Sequence, residues 1–198
     1  MPKALLLFWL FLMPIAHGQA ILEPPFGLKW GDSPTKLLDW AGRHELDVQI
    51  TMPGKSPELR VFRIERPAAP LPDSEARAVE ARFIDGKLIE VTVHYGDPGK
   101  GAEAIEAEFN TMKRKLGVEF GPLTANQQQR KTEDRFTTRT LSFHREPVRG
   151  LFLLLAFTEV EDLLRKSRQA TFSLIYRNDN LRQRIESKPA GGGSADGK

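Results

Sequence analysis

The chain has 198 residues, 40% of them hydrophobic and 28% charged, with 16 Gly, 14 Pro and no Cys. This balance is too polar for a multi-span membrane protein and too apolar for a wholly disordered chain, and the length fits one domain with its own core. Without cysteine there is no disulfide framework, no thiolate metal site and no thiol nucleophile, so stability must come from packing.

Lys3 precedes an apolar run from Ala4 to Met13, after which small residues return at Ala16, Gly18 and Ala20. The pattern predicts a secretory signal peptide over residues 1–20. The apolar run is about half the length a membrane-crossing helix needs, and no Cys follows it to accept a lipid. The mature protein is therefore expected to be soluble, without a transmembrane span, and secreted or periplasmic. Loss of Lys3 with the leader lowers the formal charge from +3 to +2, and this near-neutral balance argues against nucleic acid as a partner.

Ser33-Pro34 predicts the start of a short helix running to about His44, with the Ser33 hydroxyl as N-cap and Pro34 at the first helical position. Leu46–Ile50 and Glu58–Glu65 read as strands around a Pro-Gly turn, and the proline-rich stretch 66–72 reads as surface. The strongest local signal is a hairpin: Ala76–Ile84, the Asp85-Gly86 turn, then Lys87–Tyr95 with one apolar face. Ile105, Phe109, Met112 and Leu116 recur at helical spacing, predicting a helix over 101–116 closed by Gly117 and lying on a sheet. Three strands follow near 135–145, 151–160 and 170–177; the middle one is apolar on both faces, as in a central strand. The Gly/Ser-rich segment 187–198 reads as a disordered tail.

The expected fold is α+β, one antiparallel β-sheet packed against two helices in a single domain from 21 to about 180. Trp30-Gly31-Asp32 before one helix and Tyr95-Gly96-Asp97 before the other stand 65 residues apart, making the chain a candidate for two α-then-β-meander repeats. The opening Phe26-Gly27-Leu28-Lys29-Trp30-Gly31-Asp32-Ser33-Pro34 resembles that of small bacterial secreted proteins. It also resembles the helix-plus-meander units of outer-membrane assembly lipoproteins and of the β-lactamase inhibitor protein. The resemblance implies a binding module that engages another protein through its sheet face or loops.

Candidate chemistry is sparse. His44, His94 and His144 show no metal-ligand spacing, although His94 and His144 both fall on predicted strands and could approach one another. There is no Gly-x-Ser-x-Gly elbow and no phosphate-binding glycine loop; Gly96–Gly101 fits a turn before a helix. Glu103 and Glu106 read as one solvated helix face. No catalytic residue, metal site or cofactor is assigned. Arg135, Arg139 and Arg145 share odd parity, predicting a basic patch for an acidic envelope protein or another anionic surface. The sequence thus reads as a secreted, periplasmic, non-enzymatic binding or envelope-associated protein, with a secreted hydrolase assembled only by the fold as the alternative.

Overall fold

The computed structural model describes residues 21–54, 58–66 and 69–187. The signal peptide expected over 1–20 and the tail from 188 onward lie outside the described residues. The elements run α1 (Pro34–Arg43), β1 (Val48–Thr51), β2 (Leu59–Glu65), β3 (Ala78–Ile84), β4 (Lys87–Tyr95), α2 (Ala102–Phe120), β5 (Thr124–Glu133), β6 (Phe136–Val148), β7 (Leu151–Asp162), β8 (Ser167–Asn178) and α3 (Asp179–Glu186). The fold is α+β, with one eight-stranded sheet in the order β1-β2-β3-β4-β8-β7-β6-β5 and every neighbouring pair antiparallel. A helix followed by a four-stranded meander thus occurs twice, and the meanders join where β4 pairs with β8.

Period-two alternation sorts each strand into a covered and an open face. Val79, Val93, Leu174, Leu155 and Phe143 form one continuous cross-strand row, and all five belong to, or pack against, the cores beneath the helices. Leu37, Trp40 and Ala41 of α1 pack with Phe62, Ile64 and Phe83 in one cluster. Ile105, Phe109 and Leu116 of α2 pack with Leu153, Leu155 and Phe157 in the other. Because Val93 and Leu174 are direct partners across the seam, both helices cover the same side of the sheet. Tyr95 and Tyr176 stand at that seam and touch both clusters.

The two-residue Asp85-Gly86 turn forms as the hairpin pattern predicts, both residues adopting positive φ (51° and 67°). A register shift at Arg82/Phe83 places Leu88 opposite Phe83 and buries both Leu88 and Ile89, so the strict alternation fails there. Ser33 occupies the N-cap of α1, but its hydroxyl makes no cap bond; the Lys36 N–H donates to the Ser33 carbonyl at 3.2 Å instead.

Three expectations need correction. Among the described residues there are three helices, not two, the third being α3, whose N-cap Asn178 accepts from the Leu181 N–H at 2.8 Å. An eighth strand, β5, is exposed at all ten positions and hydrogen-bonded on one side only, to β6. The second helix runs past Gly117 to Phe120, and Gly121 (φ +87°) forms its C-cap. Phe120 and Leu123 pack on the second cluster, so burial carries the helix through Gly117, whose propensity penalty is about 1 kcal/mol.

Candidate functional site

The three arginines read as a patch do not form one. Arg139 and Arg145 keep their shared parity, but the face they share is the one α2 covers, and six rises along the strand set them about 20 Å apart. Arg139 Nη2 meets Glu106 Oε2 at 2.6 Å and Glu159 Oε2 at 3.0 Å. Arg168 meets Glu159 Oε1 at 2.9 Å and Glu103 Oε1 at 2.7 Å. The buried Glu159 carboxylate therefore bridges two arginines, each of which holds a glutamate from the N-terminal half of α2. Glu106 is a half-buried anchor, whereas Glu103 remains on the solvated face, 74% exposed, with a surface ion pair to Arg168. Hydrogen bonding to Glu106, opposed by burial and aided by both glutamates' charge, holds the Arg139 pKa above its ordinary value. Arg145 Nε donates to the Phe120 carbonyl at 3.1 Å, placing a cation at the negative end of α2. A Cβ on Gly121 would lie 3.2 Å from that guanidinium, so the small residue admits the contact. Arg135 sits in the β5–β6 turn, 3.8 Å from Asp162.

On the face of the sheet away from α1 and α2 a different set converges. Ala78, His94, Ser173, Ala156 and Ser142 form one cross-strand row, and Glu80, Thr92, Ile175, Leu154 and His144 the next. A groove of about 380 Å³ crosses the β4–β8 seam here, between Arg63, Arg77 and His94 on one wall and Ala156, Thr158 and Thr171 on the other. Arg63 donates to Glu65 at 2.9 Å and also to Glu80, while Arg77 pairs with Asp97. The His94 Nε2 lies 3.7 Å from Glu80 and has no hydrogen-bond partner among the described residues. Burial pushes the His94 pKa below its ordinary value and Arg63 adds to the fall, with Glu80 offsetting part of it; His94 is a neutral ring at physiological pH.

The open face is also less polar than a solvated sheet face. Leu154 and Ile175 are direct partners, half-buried like their neighbours Phe152 and Ala156. The doubly apolar pattern of β7 has a specific outcome. Leu153, Leu155 and Phe157 are fully buried under α2, whereas Phe152, Leu154 and Ala156 face the other side and are half-buried, with His144 and Arg177 against Phe152.

His94 and His144 share this face but not a site. Three strand spacings put them at least about 14 Å apart, and His144 stacks on Phe152 at 5.6 Å between ring centroids. Among the described residues no group of three or more His, Asp or Glu side chains is placed to hold a metal ion, and no helix is long and apolar enough to cross a membrane. The segment Gly96–Gly101 is a turn: the Asp97 carboxylate accepts from the Gly99 N–H at 2.9 Å.

The groove residues carry a weak signal in the sequence. The hairpin alternation already sends His94 away from the core, but only the register reveals that Arg63, Ala156 and Ser173 meet it. Compared with protein-family models, with curated proteins and with solved structures, the chain matches none.

Proposed function

We propose that the chain is a non-enzymatic binding module, exported and working at the cell envelope, whose open sheet face receives another protein. The observation that carries this reading is the apolar strip on that face: Leu154 and Ile175 are direct partners, half-buried beside Ala156, which lines the seam groove, and all three stand outside both core clusters. Apolar side chains aligned on an otherwise polar, hydroxyl-rich face gain by being covered. Small residues at Ala78, Ala156 and Ser173 let a partner approach the backbone closely, and the Arg63, Glu80 and His94 cluster at one end supplies directional polar contacts. A binding role fits the groove better than hydrolysis does, because Glu65 and Glu80 are both held by Arg63.

We further propose that the two helix-plus-meander units arose by duplication. Identical element order, and sheets joined last strand to last strand, support it. On this view the groove lies at the junction of the copies, where neither unit alone could build it.

The test is capture from envelope extract by the full chain and by Ala156→Arg, which fills the groove from the open face without touching the helix-covered core. The same protein retained by the parent and lost by a variant of unchanged melting temperature supports the reading. Equal retention by both, or none by either, overturns the open-face assignment. Export is checked separately, by N-terminal sequencing of the envelope fraction, where the chain should begin near residue 21.

A further inference from the structure

The helix-covered side holds two cavities that meet on one side chain. The first, about 500 Å³, lies against the C-terminal end of α1 and is walled by Phe26, Trp40 and Val93. The second, about 440 Å³, lies against α2 and is walled by Ala107, Met112 and Phe172. Tyr95 lines both. The loop after β2 borders both, with Pro72, Asp73 and Ser74 lining the first and Glu75 the second. That loop is fixed at its base: the Leu71 N–H donates to the Ala76 carbonyl at 2.7 Å, and the Ala76 N–H donates to the Ser74 hydroxyl at 2.9 Å.

The walls are aromatic and their ring geometry is defined. Phe26 and Trp40 stand 4.8 Å apart at 42°, and Tyr95 and Phe172 stack at 4.7 Å and 7°. Each cavity falls within the size range of small-molecule sites, roughly 300–1,000 Å³. Their rims are electrically balanced, which selects among ligands. Each rim carries both signs, Arg43 and Asp73 at the first cavity and Lys115, Glu75 and Glu108 at the second, where Glu108 is held by Lys100. A charged ligand would surrender its hydration and meet rim charges of both signs, whereas an uncharged aromatic or alicyclic body gains ring contact and loses little. Tyr95 supplies the one polar group common to both cavities. Burial pushes its pKa up to about 12, so the hydroxyl stays protonated and can both donate and accept.

We propose that this double cavity is a binding site for an uncharged, predominantly apolar small molecule, seated on the Tyr95–Phe172 and Phe26–Trp40 ring pairs. The helices cover the side of the sheet on which this site lies, opposite the proposed protein-binding face, and Tyr95 and Phe172 border the seam groove as well.

The test titrates the full chain with N-phenyl-1-naphthylamine, an uncharged aromatic dye, and with its anionic relative 8-anilinonaphthalene-1-sulfonate, reading dye emission and quenching of Trp40. The uncharged dye should saturate at one site per chain and bind about tenfold or more tighter than the sulfonate. Ala107→Trp, a substitution at an exposed helix position that fills the α2 cavity, should weaken the uncharged dye by about tenfold, with Thr111→Trp as the second variant should the first fold poorly. Ala156→Arg should leave dye binding unchanged. Failure to saturate, equal affinity for the two dyes, or indifference to both tryptophan variants would overturn the proposal.

Discussion

The two halves of the molecule share an element order and differ in how each holds its helix. In the first, the ten-residue α1 is held by apolar contact: Leu37, Trp40 and Ala41 reach into a cluster built from β2, β3 and β4. In the second, the nineteen-residue α2 combines an apolar stripe with a charged frame, in which Glu159 binds Arg139 and Arg168 beneath one end and Arg145 caps the other. A short helix can lie on a twisted sheet with most of its inner face in apolar contact. A long one overruns the core, and its ends need polar anchorage that ion pairs supply. The longer strands of the second meander, up to thirteen residues against nine in the first, provide the places where that frame is built.

The strongest way to break this comparison is to remove one apolar anchor from each half. Trp40→Ala and Phe109→Ala should each cost about 3–5 kcal/mol, since both side chains are nearly inaccessible. The β4–β8 ladder and the two seam tyrosines make one sheet of the halves, so thermal unfolding of either variant should remain a single transition shifted downward. Two resolved transitions by calorimetry would show that the halves are independent units resting against each other.

The seam itself can be loosened by alkali. Burial raises the Tyr95 pKa from 10.0 to about 12 and raises that of Tyr176 as well, with the charges of Tyr95 and Glu119 adding to it. The unfolded chain releases these protons near pH 10 while the folded one retains them. Stability is therefore fully present below pH 10 and falls as pH rises toward 12, with Tyr95 alone contributing about 2–3 kcal/mol at the upper end. Denaturant midpoints measured from pH 9 to 12 should fall in Tyr95-containing protein and fall less in Tyr95→Phe.

The charged frame predicts a smaller, salt-dependent effect confined to the second half. Glu159→Gln keeps the shape and removes the charge shared by Arg139 and Arg168, with an expected loss of about 2 kcal/mol. Part of this is screened, because both arginines are about one-third exposed or more. The parent should lose stability on going from low to high salt and the variant should lose less. Equal salt dependence would show that the frame contributes little.

These effects also explain which parts of the fold could be read from the sequence. The Asp85-Gly86 hairpin and the Ile105–Leu116 stripe were legible because turn chemistry and apolar period agree there. β5 was not, since Gln127, Gln128 and Gln129 have no apolar alternation, and the strand exists because β6 offers a ladder. α3 has only Leu181 and Ile185 as large apolar residues and is set by the Asn178 cap. The arginines misled for a related reason. Parity placed Arg139 and Arg145 on one face but could not say that Glu103, Glu106 and the end of α2 would come down on it. On the open face, His94 was visible as an outward-facing residue, whereas its groove depends on the β4–β8 pairing between chain segments about 80 residues apart.

His94 gives the finest test, because it separates the open face of the first half from the rest of the molecule. Its pKa lies below 6.5 in the folded protein, chiefly through burial, so below that pH the unfolded chain binds the proton more readily. Stability should then rise with pH through the window just below 6.5 and, on acidification, fall until the folded-state pKa is passed. The direction is opposite to that expected if the 3.7 Å approach of Nε2 to Glu80 acted as an ion pair, because a pair would raise the pKa and strengthen the fold in acid. Denaturant midpoints between pH 5 and 7, with His94→Gln as the non-titrating reference, separate the two cases: the parent should lose stability relative to the variant as pH falls. A parent that gains instead would make Glu80 the partner of a charged His94, and would bring that end of the groove to charge balance, with Arg63, Arg77 and His94 offsetting Glu65, Glu80 and Asp97.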